Sequence, residues 1–307
     1  MEQKDNMENL KIFVPPIKSQ GIKTKLVPWI NKLVLSSGLP KNSNWIEPFF
    51  GTGVVGFNAP FVGSFIVGDT NPHIIRFYES IQKGEIDKDI VRHFLTVEGE
   101  LLLKADNEGY SHFLEVKKRF NENFRSLDFL FLSRAGFNGM MRFNKKGEWN
   151  IPFCKKNNRF AQSYVTKISN QVGNVAKIIR SKDWSFNNTG FEEIINQAGR
   201  GDFIYCDPPY FGRYVDYYNG WNEADEETLF HLLSNTEAKF ILSTWHHNNY
   251  RKNEMIDKYW KRFNIHTKDH FYHSGGKIEN RQSVVEALVC NFDPQEISGT
   301  FDTDTLF

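Results

Sequence analysis

The sequence predicts an α/β fold in which a doubly wound sheet carries an inserted, mainly helical segment. Residues 44–58, NWIEPFFGTGVVGFN, have the pattern of a short strand, a glycine-rich turn and the start of a helix, and residues 64–68 form a second apolar strand. Residues 72–130 instead show the apolar spacing of helices. Strand patterns that complete the sheet return at residues 202–206, 239–244 and 284–291.

The length of 307 residues fits one large domain or a core with an insertion. We expect a discontinuous core of residues 1–75 and 165–292, an inserted subdomain of residues 76–164, and a tail of residues 293–307. The tail carries four acids and no base, so we expect it to be loosely held.

Composition excludes several classes of protein. Apolar residues make up 40 % of the chain and charged residues 24 %, unlike disordered, collagen-like or disulfide-scaffold proteins. The three cysteines have no metal-ligand spacing and indicate a reducing compartment. The charged first ten residues are unlike a signal peptide, and the uncharged stretch from Pro48 to Gly68 contains five glycines and two prolines, which favours turns over a membrane helix. We therefore expect a cytoplasmic protein that does not bind membranes.

Positive charge is concentrated in one part of the chain. The net charge is +1, but residues 131–182 hold eleven Lys or Arg and one acid, Glu148, so this segment carries +10 and the remainder −9. Because such segments attract phosphate backbones, we favour a polyanion partner over a solvated basic surface. Within the segment, residues 144–147 have the composition of a hairpin turn.

Residues 51–56, GTGVVG, match the pattern G-x-G-x-x-G, and Asp69 lies 18 residues after Gly51, close to the spacing at which an acid meets ribose hydroxyls. The glycines alone are equally consistent with a tight structural turn. Asp69 at a strand end favours a nucleoside-containing cofactor. Pro48 before the turn departs from the unbroken aliphatic strand of NAD-dependent dehydrogenases.

A second motif, Asp207-Pro208-Pro209-Tyr210, follows the apolar strand DFIYC and so lies at the carboxyl end of a strand, where doubly wound folds keep their active sites. The two prolines stiffen the turn and remove two backbone donors. Asp207 and the Pro208 carbonyl are suited to hold the two hydrogens of an exocyclic amino group, while the Tyr210 ring stacks on the base. The alternative is a Pro-Pro turn that only caps the strand.

With the glycine turn, Asp69 and DPPY in this order, the chain resembles the Dam-like, D12-class family of S-adenosylmethionine-dependent DNA adenine-N6 methyltransferases over nearly its whole length. The segment SQGIK matches the family's cofactor-contacting Gly-Gly-Lys segment at Gly21 and Lys23, with Ser19 where a Trp is usual. The resemblance implies a Rossmann-like class I methyltransferase fold, with catalysis by Asp207, Pro208, Pro209 and Tyr210. It implies that S-adenosylmethionine is bound by Lys23, Phe49, Gly51, Gly53, Asp69, Phe191 and Asp207.

The segment FNGMMRFNKKGEWNIPF is similar to the family's target-reading hairpin. By this resemblance Arg142 reads a guanine edge, and Asn138 and Pro152 lie against neighbouring bases or phosphates. Lys145 and Lys146 are expected on phosphates, and Lys18 is a further expected DNA contact. The segment FGRYVDYYNGW, with its tyrosines 214, 217 and 218, is expected to close over the extruded base.

The family resemblance implies site-specific methylation of a flipped-out adenine in double-stranded DNA, by a protein acting as a monomer and without a metal. Similarity to Dam-like and EcoRV-type modification enzymes suggests a short palindrome of the GATC or GATATC type, and leaves open whether a restriction endonuclease shares the site. His266, His270 and His273 have no matching ligand spacing and are expected to be ordinary strand or loop residues. Three alternatives remain: an RNA or guanine-N2 methyltransferase, an NAD-dependent oxidoreductase, and a non-catalytic DNA-binding protein.

Overall fold

The structure is a computed structural model, which describes residues 12–212, 220–271 and 283–295. Within these residues a seven-stranded sheet has the order β3-β2-β1-β4-β5-β7-β6. The strands are β1 (Trp45–Glu47), β2 (Phe65–Gly68), β3 (Trp184–Asn187), β4 (Phe203–Cys206), β5 (Lys239–His247), β6 (Asn264–Phe271) and β7 (Ser283–Cys290). The helices are α1 (Val27–Leu35), α2 (Pro72–Gln82), α3 (Lys88–Lys104), α4 (Tyr110–Asn123), α5 (Ser126–Ala135), α6 (Gln162–Ser181), α7 (Phe191–Ile195) and α8 (Glu223–Asn235).

The sheet order determines where a ligand site is expected. Strands β1 to β5 pair in parallel, whereas β7 is antiparallel to both β5 and β6. The chain runs outward from β1 through β2 to β3 and then returns to β4 on the other side of β1. Ligands of doubly wound sheets bind at such a reversal, outside the carboxyl ends of the strands. The predicted doubly wound, Rossmann-like α/β class is confirmed.

Two strands of the sheet have no clear signal in the sequence. In β3, four residues long, Trp184 and Phe186 are buried and Ser185 is exposed. Strand β6 lies at the edge of the sheet and contains the polar run His266-Thr267-Lys268-Asp269. Polar and charged side chains are common on edge strands, where they discourage pairing with other chains.

The glycine motif after β1 forms a turn rather than the predicted start of a helix. Gly51 and Gly53 have φ of +51° and +75°, and only residues 56–58 form a single 3₁₀ turn. A side chain at Gly53 would place its Cβ 2.5 Å from Phe50 Cζ. Pro60 follows at once and disfavours helical backbone in the residue before it. The segment therefore turns sharply over buried aromatic rings.

The helices α3 to α5 share a buried ionic network. Arg119 of α4 donates from Nε to both carboxylate oxygens of Asp128 at 3.0 Å and from Nη2 to Asp128 Oδ1 at 2.6 Å. The same Nη2 donates to Glu98 Oε1 of α3 at 2.7 Å. Burial alone would lower the pKa of His112, but its hydrogen bonds to Glu98 and Glu115 outweigh burial and raise it. These side chains tie the predicted helical segment together.

The predicted hairpin in the basic segment is present. Phe143 and Trp149 pair in an antiparallel bridge, and the side chain of Asn144 accepts from the backbone N–H groups of Lys146 and Glu148. The carbonyl of Gly147 accepts from Nε2 of His73 at 3.0 Å. Burial lowers the pKa of His73 to about 4, so the ring is a neutral donor at physiological pH. The hairpin is thereby fixed to the first turn of α2.

Several sequence predictions concern residues outside the described ranges. Among them are the loop tyrosines 214, 217 and 218, His273, and most of the acidic tail, of which the structure describes only residues 293–295. Helices long and apolar enough to cross a membrane are absent from the described ranges.

Candidate active site

A cavity of about 360 Å³ opens at the carboxyl edge of the sheet. The glycine turn after β1, Asp69 after β2, Asp207 after β4 and the segment around Lys23 all line it. Met141 and Phe143 of the hairpin line it as well. The cavity therefore joins the two sequence motifs and the basic hairpin, which lie far apart in the chain.

Asp69 connects β2 to the glycine turn. Its Oδ2 accepts from the backbone N–H of Gly51 at 2.8 Å, and its Oδ1 accepts from that of Asn71, also at 2.8 Å. Burial raises the pKa of Asp69, while these two backbone hydrogen bonds act in the opposite direction. Gly51 lines the cavity, and the position that a Cβ would occupy there has no atom within 4 Å. The turn thus leaves room for a ligand beside the half-buried carboxyl group of Asp69.

Asp207 forms an ion pair with Lys23. The distance from Lys23 Nζ to Asp207 Oδ1 is 2.8 Å, and the two side chains are 6 % and 22 % exposed. Burial raises the pKa of Asp207, whereas the Lys23 ammonium lowers it. Lys23 therefore favours the ionised, hydrogen-bond-accepting form of Asp207.

The rest of the DPPY motif is arranged around this pair. Pro209 lines the cavity, and Pro208 is buried. The Lys23 ammonium lies 4.8 Å from the centre of the Tyr210 ring. The Tyr210 hydroxyl donates to Oε2 of Glu286, a fully buried residue of β7, at 2.6 Å. The tyrosine is consequently held at both its ring and its hydroxyl.

An aromatic wall bounds the other side of the cavity. Phe49 stacks on Phe191 with ring centroids 5.4 Å apart, and Trp221 lies 5.6 Å from Phe49 and 5.5 Å from Phe191. Glu226 of α8 accepts from the indole N–H of Trp221 and from that of Trp260, each at 2.7 Å. The buried carboxylate thus fixes Trp221 at the cavity.

Three of these residues, Trp221, Glu226 and Glu286, were not found by sequence reasoning. Trp221 ends the aromatic segment FGRYVDYYNGW, but its contact with Phe49 depends on the tertiary fold. Glu286 lies in the apolar run SVVEALVC, and a lone acid in a buried strand indicates a specific hydrogen-bond or ionic partner.

Glu47, at the end of β1, is a further buried acid beside the cavity. Its Oε2 accepts from the indole N–H of Trp45 at 2.8 Å. Burial raises the pKa of Glu47 well above its usual value, and this hydrogen bond offsets only part of the effect. Sequence reasoning gave this residue no role.

The predicted DNA contacts lie along the hairpin and its approach. Asn138, Lys145, Lys146 and Pro152 are exposed, and Arg142 is half-buried, with Nη2 donating to the Asn150 carbonyl at 3.3 Å. The aliphatic chain of Lys18 packs over Gly139, since a Cβ on that glycine would lie 2.9 Å from Lys18 Cε.

Lys18 also lies close to other cations. Burial lowers its pKa, and Arg159, Arg134 and Lys156 lower it further. Burial and Arg159 likewise lower the pKa of Arg134 to about 10. The cluster of Lys18, Arg134, Lys156 and Arg159 therefore concentrates positive charge next to the hairpin segment.

A model of one protein family matches residues 19–274, and its description is "D12 class N6 adenine-specific DNA methyltransferase". Type II methyltransferase M.FokI of Planomicrobium okeanokoites is 27 % identical over 83 % of this chain and 42 % of its own length. A DNA adenine methylase of Vibrio cholerae is 33 % identical over 56 % of this chain and 58 % of its own length. The chain thus spans about half the length of these two relatives.

Type II methyltransferase M1.LlaDCHI of Lactococcus lactis subsp. cremoris matches almost end to end, with 25 % identity over 94 % of this chain and 97 % of its own. Among solved structures, the rRNA methyltransferase aviRa of Streptomyces viridochromogenes aligns over 94 % of both chains, but with 9 % identity and a TM-score of 0.36 this likeness carries no conclusion. The family match covers the glycine turn, DPPY and the hairpin together. The chain therefore belongs to the D12 class of N6 adenine-specific DNA methyltransferases.

Proposed function

We propose that this protein transfers a methyl group from S-adenosylmethionine to the N6 amino group of adenine in double-stranded DNA. The observation that carries the proposal is the position of Asp207. Its carboxylate lies in one cavity with Asp69 and the glycine turn, and with Met141 and Phe143 of the basic hairpin. Family membership supports the same reaction.

The residues that line the cavity support S-adenosylmethionine as the cofactor. In this proposal Asp69 accepts from the ribose hydroxyls, and the space at Gly51 admits the ligand next to the backbone. Phe49, Phe191 and Trp221 offer apolar rings to the adenine of the cofactor. Lys23 is the cation available to its carboxylate. When bound, the cofactor supplies a methyl group on a good leaving group, and Gly53 shapes the turn that contacts it.

The catalytic task of the protein is to make a weak nucleophile reactive. The lone pair of an adenine amino group is delocalised into the ring. Asp207 and the Pro208 carbonyl accept hydrogen bonds from its two N–H groups and favour a pyramidal nitrogen, an interaction that strengthens in the transition state. Pro209 stiffens this turn, and the face of Tyr210 stacks on the extruded base. Hydrogen bonding of the Tyr210 hydroxyl to Glu286 fixes the orientation of the ring.

We propose that the hairpin binds the target duplex. Arg142 reads a guanine edge, while Asn138 and Pro152 contact neighbouring bases or phosphates. Lys145, Lys146 and Lys18 bind phosphates and set the register without specifying sequence. We further propose a short palindromic target of the GATC or GATATC type, a monomer as the active form, and a role in a restriction-modification system. Two relatives are named type II methyltransferases, which supports a role in restriction-modification.

The proposed reaction is tested by mapping methyl groups transferred from labelled S-adenosylmethionine. Duplex DNA should gain N6-methyladenine within one short sequence, whereas RNA of the same sequence should gain none. Methylation of RNA, or label recovered at guanine N2, would replace this proposal with the corresponding alternative.

We expect Arg142→Ala to relax discrimination at one guanine by about 1–3 kcal/mol, because a bidentate contact to that base is lost. The measurement compares kcat/KM on the target duplex and on a duplex with that guanine replaced. Lys146→Ala is the matched control, since loss of a phosphate contact should weaken binding to both duplexes equally. If Arg142→Ala lowers kcat/KM equally on both duplexes, Arg142 contacts only a phosphate and does not read the base.

A further inference from the structure

The loop that follows β5 has a defined shape although it is exposed. The side chain of Asn248 accepts from the backbone N–H groups of Tyr250 at 2.9 Å and Arg251 at 3.0 Å. The backbone N–H of Asn248 donates to the Arg251 carbonyl at 3.0 Å, and His247 and Lys252 form an antiparallel bridge. These contacts fix the backbone of residues 247–252.

This loop lies beside the DPPY motif. Strand β5 is parallel to β4, with Leu242 opposite Cys206, so both strands end at the same edge of the sheet. The indole N–H of Trp245 donates to the carbonyl of Phe211 at 3.1 Å, directly after Tyr210. The Arg251 guanidinium lies over the Trp245 ring, 5.1 Å from its centre. The loop is thus connected to the turn at which the target base is proposed to bind.

The chemistry of the loop is that of a nucleic-acid contact. Tyr250 is 78 % exposed, more than any other large hydrophobic residue of the described ranges. Arg251 and Lys252 follow it and are exposed, and residues 246–253 contain no acid. Single-stranded nucleic acid is bound by aromatic rings that stack on bases next to cations that contact phosphates.

We propose that the 247–252 loop is a second DNA contact, which holds the strand next to the flipped-out adenine. The proposal rests on the proposed function, because extrusion of the target base leaves neighbouring nucleotides unstacked. Tyr250 stacks on one of these bases, and Arg251 and Lys252 contact the adjoining phosphates. Stacking on a base face does not depend on its identity, so this contact adds affinity without sequence preference.

The test measures duplex binding at several salt concentrations, with 2-aminopurine at the target position to report extrusion. Tyr250→Ala should weaken binding at least about fivefold and reduce the fluorescence gain, whereas Tyr250→Phe keeps the ring and should behave as wild type. Lys252→Gln should reduce the slope of log affinity against log salt by about 0.9. Lys261→Gln is the matched control, since Lys261 precedes the Asn264 end of β6, at the opposite edge of the sheet.

Binding of S-adenosylmethionine should be unchanged in all four variants. The loop proposal is overturned if Tyr250→Ala binds as wild type and Lys252→Gln keeps the wild-type salt slope while the wild-type protein methylates DNA. A wild-type protein that neither binds nor methylates duplex DNA overturns both proposals at once.

Discussion

Asp207→Asn should lower kcat about 10²–10³-fold, which is the usual effect of removing one preorganised group that stabilises a developing charge. The asparagine amide keeps the volume of the side chain but presents one neutral acceptor and an additional donor. It also removes the negative partner of Lys23, which lies 2.8 Å away. The measurement is single-turnover methyl transfer at saturating DNA and S-adenosylmethionine.

A matched control tests whether the effect is specific to the cavity. Asp202→Asn changes the same functional group at the other end of β4, where Asp202 accepts from Asn44 and from the backbone N–H of Gly199. We expect it to retain turnover. DNA affinity of Asp207→Asn should remain close to wild type, as measured by fluorescence anisotropy. Near-normal turnover of Asp207→Asn is the result that would exclude this aspartate from catalysis.

Arg119→Met should lower the free energy of unfolding by about 3–5 kcal/mol, because it leaves two buried carboxylates without their shared cation. Asp128 is fully buried and Glu98 is 5 % exposed. The measurement is equilibrium denaturation in urea, in which a lower midpoint at constant slope reports lost stability.

Lys118→Met is the matched control for this substitution. Lys118 is 78 % exposed and pairs with Glu122 at 3.9 Å, so its removal should change stability by no more than about 1 kcal/mol. Equal midpoints for Arg119→Met and Lys118→Met would show that the network contributes little to the fold.

The parts of the fold that were predictable from sequence are those in which local pattern and tertiary environment agree. Strands β1, β2, β4, β5 and β7 are apolar runs, and most are bounded by turn residues. Strand β6 could not be predicted this way, since its His266–Asp269 run is polar and only its position at the sheet edge explains it. The segment after Gly53 was predicted as helical although Pro60 already disfavours helical backbone before it. The close packing of Gly53 against the Phe50 ring, which leaves no room for a side chain, is visible only in three dimensions.

The candidate site, like the fold, was predictable only where the local sequence carries the signal. Asp69 and Asp207 are recognisable because each follows a strand and therefore reaches the carboxyl edge of the sheet. Their proximity to Lys23 and the hairpin depends on how those two segments pack at the edge of the sheet, which sequence alone does not supply. The roles of Glu226 and Glu286 depend on partners distant in the sequence, Trp260 and Tyr210 respectively.

The attachment of the hairpin at His73 limits how such an enzyme can be re-engineered. Lys145 and Lys146 are exposed, so they can be varied to change DNA affinity without disturbing the scaffold. A hairpin grafted from another enzyme must still offer a carbonyl where Gly147 now accepts from the buried imidazole. Without that acceptor the His73 ring N–H would lie buried among phenylalanine rings with no hydrogen bond. The loss would lower the free energy of unfolding by about 1–3 kcal/mol.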